Sequence, residues 1–217
     1  KPLDPANLDA LVAAPGTANV RYLRIVLDEL RQHGEHYTLR ALIDRLTSAA
    51  TVDALLELVL ARYEADFEGA RPGLVGDAMR AIWAARHGLA EAELLDLLEP
   101  GPGHLPQRTW APLHLAAEHG LVSRGGLIGF AHADLRRAVE DRYLATPEQR
   151  RAAHAALATY FAEQPLGPRQ ADELAWQHAE AGDLDELRAT LADPAWAELA
   201  YTRHPADVRR LWARVAG

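Results

Sequence analysis

Cysteine is absent from the 217 residues, which excludes disulfides, a thiol nucleophile and thiolate metal sites. Lysine occurs once, at Lys1, and serine twice, at Ser48 and Ser123. A Walker phosphate loop needs an internal lysine to reach the terminal phosphates, and a nucleophile elbow needs Gly-x-Ser-x-Gly, so neither motif is present. No apolar run approaches the roughly 18 to 20 residues of a membrane helix. The N-terminus also lacks a signal-like apolar segment, and a soluble, cytoplasmic protein is the expectation. Positive charge is in deficit, with 23 Lys and Arg against 31 Asp and Glu, a net charge of −8. Such a field repels phosphate backbones, so nucleic acid is not the expected main partner. A start on Lys rather than Met reads as a piece of a longer polypeptide.

What is present is a globular composition, 49% apolar and 25% charged. Residues 1 to 50 read as helices separated at Pro15-Gly16 and His33-Gly34, with Val20, Leu23, Leu27 and Leu30, then Leu39, Leu42, Ile43 and Leu46, at helical spacing. Thr51 is placed to cap a helix whose apolar residues run from Val52 through Leu56, Val59 and Tyr63 to Phe67. Gly69 to Gly73 forms the first boundary. Beyond it, Leu74, Ala78 and Ile82 predict a helix stopped by His87-Gly88. A short helix beginning at Leu89 and ending at Pro100 to Gly103 follows, and a third runs from about Gln107 to His119. Leu121-Val122 and Leu127 to Phe130 flank Arg124-Gly125-Gly126, and paired glycines supply the positive backbone angles of a tight hairpin. This is the one hairpin the sequence predicts. Helix-helix-helix-hairpin is the order of a winged helix, and a further helix follows to about Leu144. Thr146-Pro147-Glu148 has cap, first-turn proline and acid in the order of a helix start. Gly182-Asp183 reads as a stop followed by a cap. The short helices around it, out to Trp196, Val208, Leu211 and Trp212, resemble the paired units of helical-repeat arrays.

Few residues invite chemistry. His114, Glu118 and His119 lack the spacing of zinc-binding helices, and His33, Glu35 and His36 have no third ligand nearby in sequence. Asp183 with Asp185, and Glu91 with Glu93, stand at helix starts, where free amides and the helix dipole favour carboxylates. His178, on an apolar stripe, reads as a hydrogen-bonded core histidine. His132 differs, because it follows the second hairpin strand and opens the next helix. An imidazole there can donate to an anion beside unpaired amides of matching sign.

Phe130-Ala131-His132-Ala133-Asp134-Leu135-Arg136-Arg137-Ala138-Val139 resembles the winged-helix histidine motif of STAND signalling NTPases, the class of the NACHT and NB-ARC proteins. Tyr22-Leu23-Arg24-Ile25-Val26-Leu27-Asp28-Glu29-Leu30-Arg31 resembles the helix leading into the lid of the NACHT nucleotide domain, and Arg86 to Leu94 resembles the first winged-helix elements. Arg151 to Phe161 and Glu173 to Asp183 are similar to the helical region that follows in the branch related to telomerase-associated protein 1. The resemblance implies that His132 contacts the β-phosphate of ADP and holds a closed, inactive state. The family has Asn-Pro or Gly-x-Pro ahead of the Tyr-Leu segment, where this chain has Asn19-Val20; Asn19 and Tyr22 are the residues it nominates near the adenine.

The expected fold is therefore mainly α: a helical lid segment over 1–69, a winged-helix domain with one β-hairpin over 70–145, and a TPR-like helical segment over 146–217. The expected function is that of a regulatory arm of a STAND ATPase, not an enzyme in its own right. ADP or ATP would be held only in the full-length parent, with the NTPase core of the same polypeptide and downstream repeat or effector domains as partners. No metal is expected. The alternative is a winged-helix DNA-binding transcription regulator.

Overall fold

The computed structural model describes residues 3–32, 38–99 and 105–216, and it is mainly helical with one small sheet. The predicted breaks at His33-Gly34 and Pro100 to Gly103, and the His33, Glu35 and His36 group, lie outside the described residues.

Helix α1 (Pro5–Ala13) and a 3₁₀ turn (Pro15–Ala18) lead into α2 (Val20–Gln32), followed by α3 (Leu39–Thr47) and α4 (Val52–Phe67). Thr51 caps α4 as its sequence predicts, its hydroxyl accepting from the Ala54 amide at 3.1 Å. Next come α5 (Leu74–Ala84), β1 (Leu89–Ala90), α6 (Glu91–Leu98), α7 (Gln107–Ala116), β2 (Leu121–Arg124), β3 (Leu127–Phe130) and α8 (Ala133–Tyr143). The chain continues through α9 (Pro147–Ala162), α10 (Pro168–Ala181), α11 (Leu184–Ala192), α12 (Pro194–Arg203) and α13 (Pro205–Ala216). The α9 start is the predicted one, with Thr146 and Gln149 forming a reciprocal capping box.

The sheet corrects two expectations. It has three strands in the order β1-β3-β2, all antiparallel, rather than a lone hairpin. Leu89 and Ala90, expected to open a helix, pair with Ile128 and Leu127, and α6 begins only at Glu91. Gly88 is not the stop of α5, which ends at Ala84. It turns the chain into β1 with φ +90°, and a Cβ there would lie 2.6 Å from the Ile128 carbonyl oxygen. The close approach explains why the position is glycine. At the hairpin tip Gly125 and Gly126 have φ of +60° and +82°, the angles that the paired glycines predict.

One apolar cluster runs from Leu11 in α1 to Leu174 in α10, and a second from Ala171 to Leu211 holds α10 to α13 together. Helix α10 thus contributes to both. Its polar face is also inside: Glu173 is fully buried and accepts from the amides of Arg86 at 3.1 Å and His87 at 3.2 Å. Gln177 donates to Glu173 at 2.8 Å and to the Ala84 carbonyl at 3.0 Å, while its amide oxygen faces His154 Nδ1 at 2.8 Å. The groups freed where α5 ends are therefore satisfied by α10 side chains, which binds the C-terminal helices to the α5–β1 turn. Arg86 adds an ion pair to Asp207 at 2.6 Å and stacks on Trp176.

Candidate functional site

A cleft of about 480 Å³ opens between α2, α4, the α7–β2 connection and the start of α8. Ile25, Leu56, Val59 and Leu135 give it apolar walls, and charged side chains of both signs stand among them. His132 and Asn19, nominated separately from the sequence, both line it.

His132 is the residue before α8, in extended backbone, and its side chain makes no capping bond. The ring is exposed, at the end of a helix whose first amides have no intrahelical acceptor. Partial burial, then the positive charges of Arg21 and Arg24, hold its pKa below the ordinary 6.5 against the opposing pull of Asp134. The imidazole is accordingly neutral at pH 7, with one N–H to donate. Arg21 reaches from the first turn of α2 to form an ion pair with Asp134. Arg24, one turn on, is largely exposed, and its guanidinium stands 3.8 Å from Asp28. One end of the cleft therefore collects a neutral imidazole, a helix N-terminus and two guanidinium groups, of which Arg21 is paired with Asp134 and Arg24 lies beside Asp28.

The other end is acidic. Asp28 is buried, 2.9 Å from Arg31, with His119 Nε2 at 3.9 Å. Glu29, also buried, accepts from Arg62 at 2.7 Å; the Tyr63 hydroxyl lies between Glu29 Oε1 at 3.2 Å and the Ala116 carbonyl oxygen at 2.9 Å, with one proton to share between them. Burial pushes the Glu29 carboxyl up, while Arg62 and Tyr63 act to lower it. This buried cluster braces α2, α4 and α7 behind the cleft.

Asn19 points its side-chain oxygen at its own helix, accepting from the amides of Arg21 at 2.9 Å and Tyr22 at 3.3 Å. Tyr22 does not line the cleft. It is 1% exposed, its hydroxyl 2.7 Å from the Leu46 carbonyl and 2.9 Å from that of Ala49. Its ring lies so close to Gly16 that a Cβ there would be 2.7 Å from the ring carbon bearing the hydroxyl.

The other singled-out residues are scattered. His114 stacks on Trp110, and His119 lies 3.5 Å from Glu118. Glu93 accepts from the Ala90 amide at 2.8 Å, and Asp183 from the Glu186 amide at 3.4 Å, both as helix caps. His178 is buried, but its Nδ1 has no hydrogen-bond partner among the described residues, contrary to the hydrogen-bonded role expected of it.

Arg21, Arg24 and Asp28 were not nominated from the sequence. Their spacing of three and four residues along α2 is the available signal, and it reads equally as a solvent face.

No family model matches the sequence, and no solved structure matches it. A TPR repeat-containing protein of Dictyostelium discoideum is similar, 29% identical over 205 residues that make up 94% of this chain. The chain spans about 12% of that protein's length.

Proposed function

We propose that the chain is the regulatory arm of a STAND-class signalling NTPase, with a helical lid over 1–69, a winged helix over 70–145 and a TPR-like segment over 146–217. The succession α5, β1, α6, α7, β2–β3 is what favours reading the middle part as a winged helix, its hairpin being the wing. The likeness to a TPR repeat-containing protein favours a repeat-like tail that binds other proteins.

The observation that carries the reading is the position of His132: exposed, uncommitted to capping, and in a cleft shared with Asn19, Arg21 and Arg24. These residues fit a diphosphate. A neutral imidazole can donate to one oxygen, Arg24 can neutralise another, and Arg21 is held nearby by Asp134. The nucleotide would be supplied by an NTPase core on the same polypeptide, and the base contact falls to Asn19. In the arm-down position His132 favours ADP; exchange, or a signal received by a downstream repeat or effector domain, releases it. A ligand shifts such an equilibrium only by its differential affinity for the two positions. The chain alone is not expected to hydrolyse ATP or retain a nucleotide, and a cytoplasmic setting suits this role.

The test is His132→Ala in the full-length parent. Raised basal output, with less ADP carried through purification, supports the sensor; unchanged output and ADP content remove it. The exposed face of α7, with Gln107, Arg108, Ala111, Pro112 and Leu115, carries one arginine and does not favour a duplex-reading helix. Specific DNA binding with a steep salt slope would reverse that preference.

A further inference from the structure

A second groove, about 450 Å³, runs between α1 and α2 over the 3₁₀ turn. Leu8 and Val12 form one wall and Leu23 and Leu27 the other, with Pro15 and Ala18 between them. Helix α2 turns Arg21, Ile25 and Asp28 toward the His132 cleft instead, so the two recesses lie on different faces of it. None of the described residues lining the groove is charged. Its one polar side chain, Thr17, has its hydroxyl 2.7 Å from the Leu11 carbonyl oxygen. Such a groove selects apolar side chains.

A ridge stands beside it. Leu8 is 52% exposed and Val12 75%, and four residues of helix put them one above the other on the same face of α1. Asn7 and Leu11 occupy the opposite, buried side. Single exposed apolar residues are ordinary, but a ridge joined to an uncharged groove makes a contiguous apolar surface, which marks a contact. The two rims differ in charge. On α1, Asp9 is exposed next to Leu8, and its carboxylate has no partner among the described residues. On α2, Arg24 lies three residues before Leu27 and Arg31 four after it, and both are largely exposed.

We propose that this surface binds the same surface of a second copy of the chain. About a two-fold axis, the α1 ridge of each copy enters the groove of its partner, and the Asp9 rim of each meets the Arg24 and Arg31 rim of the other. A two-fold contact requires a patch that is complementary to itself. This one meets the requirement in shape, with a ridge beside a groove, and in charge, with an acid along one rim and guanidinium groups along the other. Each copy carries a net charge of −8, which opposes the approach, so the pairing is weak and rests on apolar burial. Leu8, Val12, Leu23 and Leu27 do not line the His132 cleft, and the contact stands or falls apart from the nucleotide reading.

Sedimentation velocity of the chain itself tests the proposal, with a reversible dimer expected to form at about 10–200 µM. Val12→Glu, at an exposed position, drives a carboxylate into the partner's groove and is expected to weaken dimerisation at least tenfold. Leu115→Glu, on the exposed face of α7, should leave it unchanged. Asp9→Arg sets like charges against Arg24 and Arg31, and a double variant with Arg24→Glu and Arg31→Glu sets like charges against Asp9, so each alone is expected to be monomeric. Mixed in equal amounts the two variants should pair, because both rims of the mixed dimer are then opposite in sign. Circular dichroism checks the fold of each, and Val12→Glu with Asp9→Arg carries the test if the double variant fails to fold. A chain that stays monomeric at about 500 µM overturns the proposal. So does undiminished dimerisation in Val12→Glu, an equal loss in Leu115→Glu, or a mixture of folded charge variants that remains monomeric.

Discussion

Removing the Tyr22 hydroxyl would remove the single buried donor that stands between the Leu46 and Ala49 carbonyls. Tyr22→Phe is expected to lower stability by about 1–3 kcal/mol in urea unfolding without altering nucleotide handling. Sequence could nominate Tyr22 but could not show which way its ring turns, because one helical turn separates a cleft-lining position from a core one. His132 was legible for the opposite reason: its place between strand and helix fixes it at a helix end whatever the tertiary packing. His154 gives a pH test. Burial holds its pKa below the ordinary 6.5, opposed by its bond to Gln177. The unfolded chain therefore takes up the proton first, so this contribution is complete above pH 6.5 and is lost as pH falls toward the depressed value. His178 acts in the same direction. Unfolding free energy should decline as pH is lowered from 7 to 5, and decline less in His154→Gln; an equal decline would assign the effect to other groups.

Among the elements, helices with explicit punctuation were read correctly, as at Thr51, Thr146 and Gly182-Asp183, because the caps that end or begin them are local chemistry. Strand β1 was missed because two residues cannot show an alternation, and its pairing partner lies nearly forty positions downstream. Only the tertiary context reveals that Gly88 is in close contact with Ile128. Gly88→Ala is expected to cost about 3 kcal/mol, since it combines a positive φ with a backbone clash, while Gly126→Ala, open on all sides, costs about 1–2 kcal/mol. Thermal denaturation of the two variants compares them directly; equal losses would mean that β1 does not pack on β3 as described.

For the whole molecule, the C-terminal helices are joined to the rest through α10, whose Glu173 and Gln177 complete the end of α5. That coupling involves residues 86 to 93 positions apart and left no local trace in the sequence, where Glu173 is one more acid on an acidic chain. Glu173→Ala is expected to cost about 2–3 kcal/mol, because the Arg86 and His87 amides and the buried Gln177 side chain lose their acceptor. Circular dichroism and tryptophan fluorescence should still report one transition, shifted downward; two separated transitions would show that the C-terminal helices melt on their own.

In the proposed closed state the His132 imidazole holds a diphosphate, and the most direct measurement of that contact is the dissociation rate of fluorescent ADP from the full-length parent, compared among wild type, His132→Ala and Tyr22→Phe. A charge-assisted hydrogen bond of about 1.5–3 kcal/mol predicts release about 10- to 150-fold faster in His132→Ala. Tyr22→Phe should match wild type, and a His132→Ala rate equal to wild type would contradict the account.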